Sequence, residues 1–194
     1  MKVAVVALLD EATHNWMRQA ALDAHRRYGV GLEAARLPVH VSLKEVFECD
    51  DLTAVEAYFD AMCDTTSPFA VGFEQLEVHS GPGAHGPWAL LWLAVRETSV
   101  LRGLHERLNR ELQERLGIPM AVFDGPRYRF HATVLYGPGP VEAYQQTLQD
   151  YQDMGVPGRQ VIRQLALVVG DDGAAAGEYV TYRIWPLKGK LGHT

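Results

Sequence analysis

The sequence is poor in cysteine, with only two, Cys49 and Cys63. Two cysteines at this spacing form neither a disulfide framework nor a metal-ligand motif. We therefore expect a reducing compartment, the cytoplasm. The sequence as a whole leads us to expect no metal or other cofactor. Long apolar runs are also missing, so no membrane span is expected. The apolar start of the chain is followed at once by Asp10 and Glu11. That pattern favours a first strand over a signal peptide.

Positive charge is scarce as well. Eighteen Lys and Arg stand against 24 Asp and Glu, a formal net charge of −6. Binding along duplex DNA requires several phosphate contacts from basic side chains, so the composition excludes duplex DNA as a partner. The composition does not exclude a local pocket that binds one or two phosphates. With 194 residues, 47% of them hydrophobic, the chain is expected to be a monomer with one bilobal domain over 1–188 and a flexible tail over 189–194.

Two short strings are nearly the same. His40-Val41-Ser42-Leu43 and His131-Ala132-Thr133-Val134 both read histidine, small apolar residue, hydroxyl residue, aliphatic residue. Side chains alternate faces along a strand, so each string presents an imidazole and a hydroxyl together, on an apolar back face. Two such pairs of side chains can transfer two protons at one polar group of a substrate. The alternative is a pair of strand histidines that are hydrogen-bonded in the core.

The rest of the chain reads as alternating helices and strands. Thr53 to Glu56 has a capping-box pattern that predicts a helix start, and a leucine stripe marks the helix over 99–116. The predicted helices are 11–28, 53–63, 99–116 and about 138–154, and the predicted strands are 2–9, 37–44, 69–79, 88–96, 127–136, 160–169 and 178–185. The order motif strand, helix, strand, turn, strand therefore occurs twice. This predicts an α+β fold with outer helices and sheets that face a central groove.

On its two motifs, the chain resembles the 2H phosphoesterase superfamily, which includes RNA 2′,3′-cyclic phosphodiesterases and 2′,5′-RNA ligase-like proteins. The resemblance implies a bilobal fold of two antiparallel sheets with pseudo-twofold symmetry, whose motif strands meet in a cleft. It also implies metal-independent hydrolysis of 2′,3′-cyclic or other 2′-linked phosphodiesters. Ser42 stands where threonine is commoner, which keeps the hydroxyl.

The chemistry explains why such a site needs these residue types. In-line attack on a phosphodiester requires a base for the incoming water and an acid for the leaving oxygen, and two histidines supply both. We expect His40 and His131 to share these roles, with inner nitrogens roughly 6–8 Å apart if each lies within hydrogen-bond reach of its oxygen. Ser42 and Thr133 would donate to the non-bridging oxygens.

Three further residues are candidate substrate contacts. Strand alternation places Lys44 beside Ser42 and Arg129 beside His131, where each could bind phosphate or lie solvated at a strand end. Tyr136 lies close to the second motif and could stack on a nucleobase. Phe130 is expected in the core, on the face opposite His131.

The remaining histidines are weaker candidates. His79 and His85 flank a glycine-rich loop and would need further ligands to hold a metal, so we expect neither to bind one. That loop could form a flap over the cleft. His14, His25 and His105 lie on predicted helices, where we expect solvated faces.

The sequence thus predicts a two-histidine phosphodiesterase whose partner is an RNA 3′ end or a small nucleotide with a cyclic phosphate. One alternative keeps the site but changes the substrate to 2′,5′-linked oligonucleotides or a cyclic sugar phosphate. Another is a non-catalytic protein that binds RNA ends or nucleotides in the same cleft.

Overall fold

The computed structural model describes residues 1–82, 88–152, 154–171, 173 and 178–190. His85 and most of the predicted tail lie outside these ranges. Within them the elements follow in the order β1 (Lys2–Leu8), α1 (Glu11–Tyr28), a 3₁₀ turn (Glu33–Arg36), β2 (His40–Glu48), α2 (Leu52–Thr65), β3 (Phe69–Val71), β4 (Phe73–Gly81), β5 (Trp88–Val95), α3 (Ser99–Leu116), β6 (His131–Pro138), α4 (Val141–Gln152), β7 (Gln160–Ile162), β8 (Gln164–Gly170) and β9 (Val180–Pro186).

The strands form antiparallel sheets, which confirms the predicted α+β class. One sheet has the order β2-β1-β8-β9, the other has the order β4-β5-β6, and β3 pairs with β7 in a short ribbon. The strand pair after each motif helix belongs to the sheet of the other motif. The two sequence repeats are therefore interleaved, and the two large sheets do not correspond to the two halves of the chain.

The helix termini follow local rules. Helix α1 begins after Asp10, whose carboxylate accepts from the Thr13 amide, and it ends at Gly29 with φ 71°. Helix α3 begins after Thr98 and ends at Gly117 with φ 67°. Both ends have the left-handed residue that glycine adopts most readily. The capping-box prediction for α2 is wrong, because Asp51 caps this helix by accepting from the Thr53 amide.

The larger of the two apolar clusters among the described residues lies between the helices and the sheets. It contains alternate residues of β1 (Val3, Val5, Ala7) and of β5 (Leu91, Leu93), and the leucine stripe of α3 (Leu101, Leu104, Leu108, Leu112). Phe130 is also part of this core, as predicted. The inward-facing residues of each sheet pack against the helices, so the opposite sheet faces are left to form the cleft.

Both motif strands carry a β-bulge at the same position. Val5 and Val6 of β1 pair with Lys44 and Ser42, so Leu43 is an extra residue in β2. In β6 the extra residue is Val134, between Thr133 and Leu135. A bulge breaks the alternation of faces, so the residue after it points the same way as the bulged one. The motif residues keep the predicted alternation, but the residues beyond them do not.

Candidate active site

Each motif histidine is the first residue of its strand, and each is oriented by the backbone just before it. His40 Nδ1 lies 2.7 Å from the Pro38 carbonyl oxygen, and His131 Nδ1 lies 2.9 Å from that of Arg129. A carbonyl only accepts, so Nδ1 carries the hydrogen in both rings. Among the residues that the structure describes, none forms a hydrogen bond with Nε2 of either ring, so Nε2 is the nitrogen that can exchange a proton with a substrate.

The neighbouring carbonyls are held in the same repeated way. The carbonyl one residue before each histidine accepts from an amide at the end of a strand: Val39 from Leu9, the residue after β1, at 3.1 Å, and Phe130 from Val95, the last residue of β5, at 2.9 Å. The carbonyl three residues before accepts from an arginine of the preceding helix. Arg18 of α1 donates to Leu37, and Arg102 of α3 donates to Tyr128. Each histidine therefore follows three consecutive carbonyls that are all hydrogen-bonded.

A cavity of about 180 Å³ brings the two motifs together. It is lined by Arg18, Glu33, Ala34, Leu37, Pro38, Val39, His40, Thr133 and Tyr136. Strand β2 therefore contributes its histidine, and β6 contributes its hydroxyl residue and the predicted aromatic. Sequence reasoning missed Arg18 and Glu33. A helical wheel places Arg18 next to the buried Met17 and Ala21. This position at the edge of the buried face of α1 indicates that the side chain packs toward the rest of the protein.

The surroundings of His131 are aromatic. Its ring stacks on Trp92 of β5, with centroids 4.1 Å apart and an interplanar angle of 29°. The His79 ring of β4 packs against the same indole, with ring centroids 3.7 Å apart. His79 is thus a strand residue whose ring contacts Trp92 and Glu77. Among the described residues, no group of three His, Cys, Asp or Glu is arranged to hold a metal ion.

Burial lowers the pKa of both motif histidines below their ordinary value. For His40 the main cause is desolvation, the Pro38 hydrogen bond opposes it, and the charge of Arg18 adds to it. For His131 desolvation again dominates, the carbonyl of Arg129 opposes it, and the charges of His40, His79 and Arg129 add to it. His40 is thus close enough to His131 to influence its protonation. The neutral imidazole is favoured in both cases.

Lys44 does not lie in the cleft, so its prediction as a substrate contact is wrong. Its side chain is fully buried and forms an ion pair with the equally buried carboxylate of Asp124. It also donates to the Pro119 carbonyl at 2.9 Å. The physical reason is the bulge at Leu43, which turns Lys44 toward the core. Leu135 occupies the corresponding position after the second bulge and is buried in the same way.

His105 is also different from the prediction, because it is buried and not solvated. Its ring nitrogens lie 2.8 Å from the Leu43 carbonyl oxygen and 2.9 Å from that of Asp124. The ring stacks on Tyr128, whose hydroxyl donates to the Ser42 carbonyl at 3.0 Å. This polar cluster supports the first motif strand from behind.

The remaining predicted contacts lie near the motifs. Ser42 is half-buried and pairs with Val6 of β1, but it does not line the cavity. Arg129 lies beside His131, where it donates to the Glu77 carboxylate at 2.8 Å. Its Cζ atom lies over the Trp92 ring, 5.4 Å from the ring centroid. The guanidinium is more than half exposed, with a relative side-chain accessibility of 57%.

The sequence matches the family model described as the 2′-5′ RNA ligase superfamily over residues 9–174. The chain belongs to this superfamily. It is the 2H phosphoesterase superfamily that the two motifs indicated, and its members act on phosphodiester bonds. No curated protein matches the sequence at a significant level.

Solved structures show that the fold is the one of the 2′-5′ RNA ligase superfamily. TT0787 of Thermus thermophilus is 18% identical with a TM-score of 0.63, over 98% of this chain and 100% of that chain. LigT of E. coli complexed with 3′-AMP is 13% identical with a TM-score of 0.52, over 96% and 97%. LigT complexed with NADP+ is 14% identical with a TM-score of 0.51, over 96% of each chain.

In the part of the chain that the structure describes, no helix combines the length and the apolar character needed to cross a bilayer.

Proposed function

We propose that this protein is a metal-independent phosphodiesterase that opens 2′,3′-cyclic phosphates of RNA ends or small nucleotides, within a single bilobal domain. The observation that carries the proposal is the shared cavity, which His40 of the first motif and Thr133 of the second line together. Membership of a superfamily that acts on phosphodiester bonds supports the reaction class. The nucleotide complexes of LigT, with 3′-AMP and with NADP+, support a nucleotide as the ligand.

In this mechanism the two Nε2 atoms act on opposite sides of one phosphorus. A neutral imidazole takes a proton from water, whose oxygen forms the new P–O bond. The bond to one ribose oxygen breaks in line, and the other imidazole, protonated, gives its proton to that oxygen. One proton is taken and one is returned, so the overall reaction adds one water molecule to the cyclic phosphate.

The hydroxyl groups and the nearby cations would stabilise the charge. Thr133 and Ser42 would donate to the non-bridging oxygens, where negative charge builds in the transition state. Arg129 remains a proposed phosphate contact because its guanidinium is partly exposed beside His131. Tyr136 remains a proposed contact for the base or ribose because it lines the cavity. Lys44 has no part in this mechanism.

The test is a panel of 2′,3′-cyclic mononucleotides, RNA with a cyclic-phosphate end and 2′,5′-dinucleotides, assayed with a chelator present. The wild type is compared with His40→Asn and His131→Asn. We expect turnover of cyclic phosphates by the wild type and a loss of about 10²–10⁴-fold in each variant. His25→Asn is the matched control, because His25 is exposed on α1, and it should keep full activity.

The same assay separates the alternatives. Turnover confined to the 2′,5′-dinucleotides would support the second substrate class with the same site. Binding of nucleotides without turnover of any phosphodiester would support a binding protein. Full activity in both histidine variants would overturn the mechanism.

A further inference from the structure

The cavity beside His40 is small and mostly apolar. Its walls are the apolar side chains of Ala34, Leu37, Pro38 and Val39, and Tyr136 adds an aromatic ring. The volume of about 180 Å³ is below the roughly 300–1,000 Å³ of pockets that hold whole drug-sized ligands. His40 and Thr133 line the same cavity, so a ligand whose phosphate lies between them would place one ring against Glu33 and Tyr136, and the rest of it outside.

Arg18 and Glu33 carry charged side chains into the lining of this cavity, and their hydrogen bonding differs. Arg18 donates Nη1 to the Ala34 carbonyl at 2.8 Å and Nη2 to the Leu37 carbonyl, so two of its nitrogens are engaged by the protein. Glu33 lines the same cavity but makes no hydrogen bond or ion pair with any part of the chain that the structure describes. A carboxylate without donors in an apolar site is a place for ligand donors.

The Glu33 carboxylate is held in position by the backbone around it. The residue before it, Leu32, forms a bridge with Tyr136. The carboxylate lies directly against Gly137, where a Cβ atom would overlap it. Gly137 has φ 148°, which also favours glycine. The Glu33 carboxylate is therefore an acceptor that packs against the backbone of the second motif strand.

We propose that Glu33 makes this cavity a base-recognition subsite that prefers guanine. This inference rests on the proposed function, because it places the base next to a phosphate held by the motifs. A carboxylate accepts through two oxygens and donates nothing when ionised. It selects for a ring edge that presents two adjacent N–H donors and selects against carbonyl oxygens.

Guanine is the common base that offers such an edge, with N1–H beside the N2 amino group. Uracil presents a single N–H between two carbonyl oxygens, which a carboxylate repels. Adenine and cytosine each place one amino group beside a ring acceptor. Hypoxanthine, the base of inosine, keeps N1–H but lacks the amino group. Inosine therefore distinguishes the effect of one hydrogen bond to the carboxylate from the effect of two.

The experiment measures kcat/KM for the guanosine, inosine, adenosine, cytidine and uridine 2′,3′-cyclic phosphates. For the wild type we expect guanosine to exceed uridine by at least about tenfold, with inosine between them, since a hydrogen bond to a charged group has this effect. Glu33→Gln keeps the shape but puts a donor in the acceptor position, so it should lower the guanosine rate far more than the uridine rate and remove most of the guanosine preference.

Glu48→Gln is the matched control, because Glu48 is exposed at the far end of β2 and should leave the base preference unchanged. Equal wild-type rates on guanosine and uridine would overturn the proposal. So would a Glu33→Gln variant that lowers all five rates by the same factor, since that is the result of a structural role.

Failure of the proposed function is distinguishable from failure of this inference. If no cyclic nucleotide is hydrolysed, calorimetric binding of guanosine 2′-monophosphate and uridine 2′-monophosphate decides the question. Tighter binding of the guanosine compound that is lost in Glu33→Gln supports the subsite. Equal binding of the two compounds overturns it.

Discussion

At the residue scale, the two motif histidines have the same anchor and different neighbours. Each donates Nδ1–H to the carbonyl two residues earlier. Around His131 the protein packs Trp92 against the ring, whereas the charge of Arg18 lies near His40. The pairing of an imidazole with a hydroxyl is predictable from the sequence because it depends only on strand alternation. The neighbours come from other strands and helices, and no local pattern encodes them.

The lowered pKa values of His40 and His131 predict a dependence of stability on pH. Both rings lose part of their proton affinity on folding, so the unfolded chain binds these protons more readily. Stability from these groups is fully present above the ordinary value of 6.5 and is lost as the pH falls below it. We expect the free energy of unfolding to decrease between about pH 7.5 and 5.5.

Urea unfolding at both pH values checks this expectation in the wild type and in the double variant His40→Asn/His131→Asn. The decrease in the free energy of unfolding should be smaller in the double variant, because the two imidazoles with lowered pKa values are absent. The carboxylates contribute equally to both proteins and cancel in the comparison. An equal or larger decrease in the double variant would contradict the proposed desolvation of the rings.

Thr133 provides the sharpest test of the hydroxyl role. Thr133→Val keeps the shape but removes the donor, so we expect turnover of the cyclic phosphate to fall about 10²–10³-fold, as for other donors to a developing anion. Thr133→Ser keeps the donor and should stay within a few-fold. Similar losses in the two variants would show that the methyl group and its packing matter more than the hydroxyl.

At the element scale, the bulges and the helix caps explain where sequence reasoning succeeded and failed. The bounds of α1 and α3 are predictable to the residue, because caps and left-handed glycines lie next to them in sequence. The direction of the Lys44 side chain is not predictable, because a bulge depends on the partner strand and leaves no signal in its own strand. The burial of His105 is not predictable for a similar reason, since its ring contacts the carbonyls of Leu43 and Asp124, 62 and 19 residues away in the sequence.

The buried Lys44–Asp124 pair should behave as a structural unit. Removal of one partner leaves an unpaired buried charge, so Lys44→Met and Asp124→Asn should each lower the free energy of unfolding by about 3–5 kcal/mol. The double variant should lose much less than the sum of the two. Denaturant unfolding of all four proteins gives the coupling energy directly.

Lys188→Met is the control for this cycle, because its pair with Asp64 is exposed, with side-chain accessibilities of 61% and 59%. We expect a far smaller change there. Additive losses at Lys44 and Asp124 would contradict the description of a coupled buried pair.

Arg18 is a positioning residue that links α1 to the first motif. Arg18→Met removes the donors to Ala34 and Leu37 and also removes the charge that lowers the pKa of His40. We therefore expect a lower kcat and a shift to higher pH of the pH–rate limb that His40 governs. Arg26→Met, on the exposed side of the same helix, should change neither. A lower kcat with an unchanged pH profile would indicate a role in stability alone.

At the scale of the whole molecule, the interleaved sheets create the site. The two copies of the order strand, helix, strand pair are visible in the sequence, but their exchange between sheets is not. Strand pairing between segments far apart in sequence depends on the complete fold, and local propensity carries no information about it. The exchange ties β2 and β6 into different sheets, and His40 and Thr133 still line one cavity.

Turnover is also expected not to require a bound metal. The proposed chemistry uses two imidazoles, hydroxyl donors and guanidinium groups, so full activity is expected after dialysis against a chelator. Added Mg²⁺ or Zn²⁺ should not raise the rate of the chelated protein. Loss of activity on chelation, with recovery on addition of one metal ion, would contradict the mechanism.

The central claim is that His40 and His131 act on one phosphorus from opposite sides. A crystal structure with a nucleoside vanadate, which resembles the transition state of cyclic phosphate opening, measures this most directly. The account predicts both Nε2 atoms within about 2.6–3.2 Å of different vanadate oxygens, one on each side of the vanadium. Vanadate bound to one histidine, with the other ring more than about 5 Å from every vanadate oxygen, would contradict it.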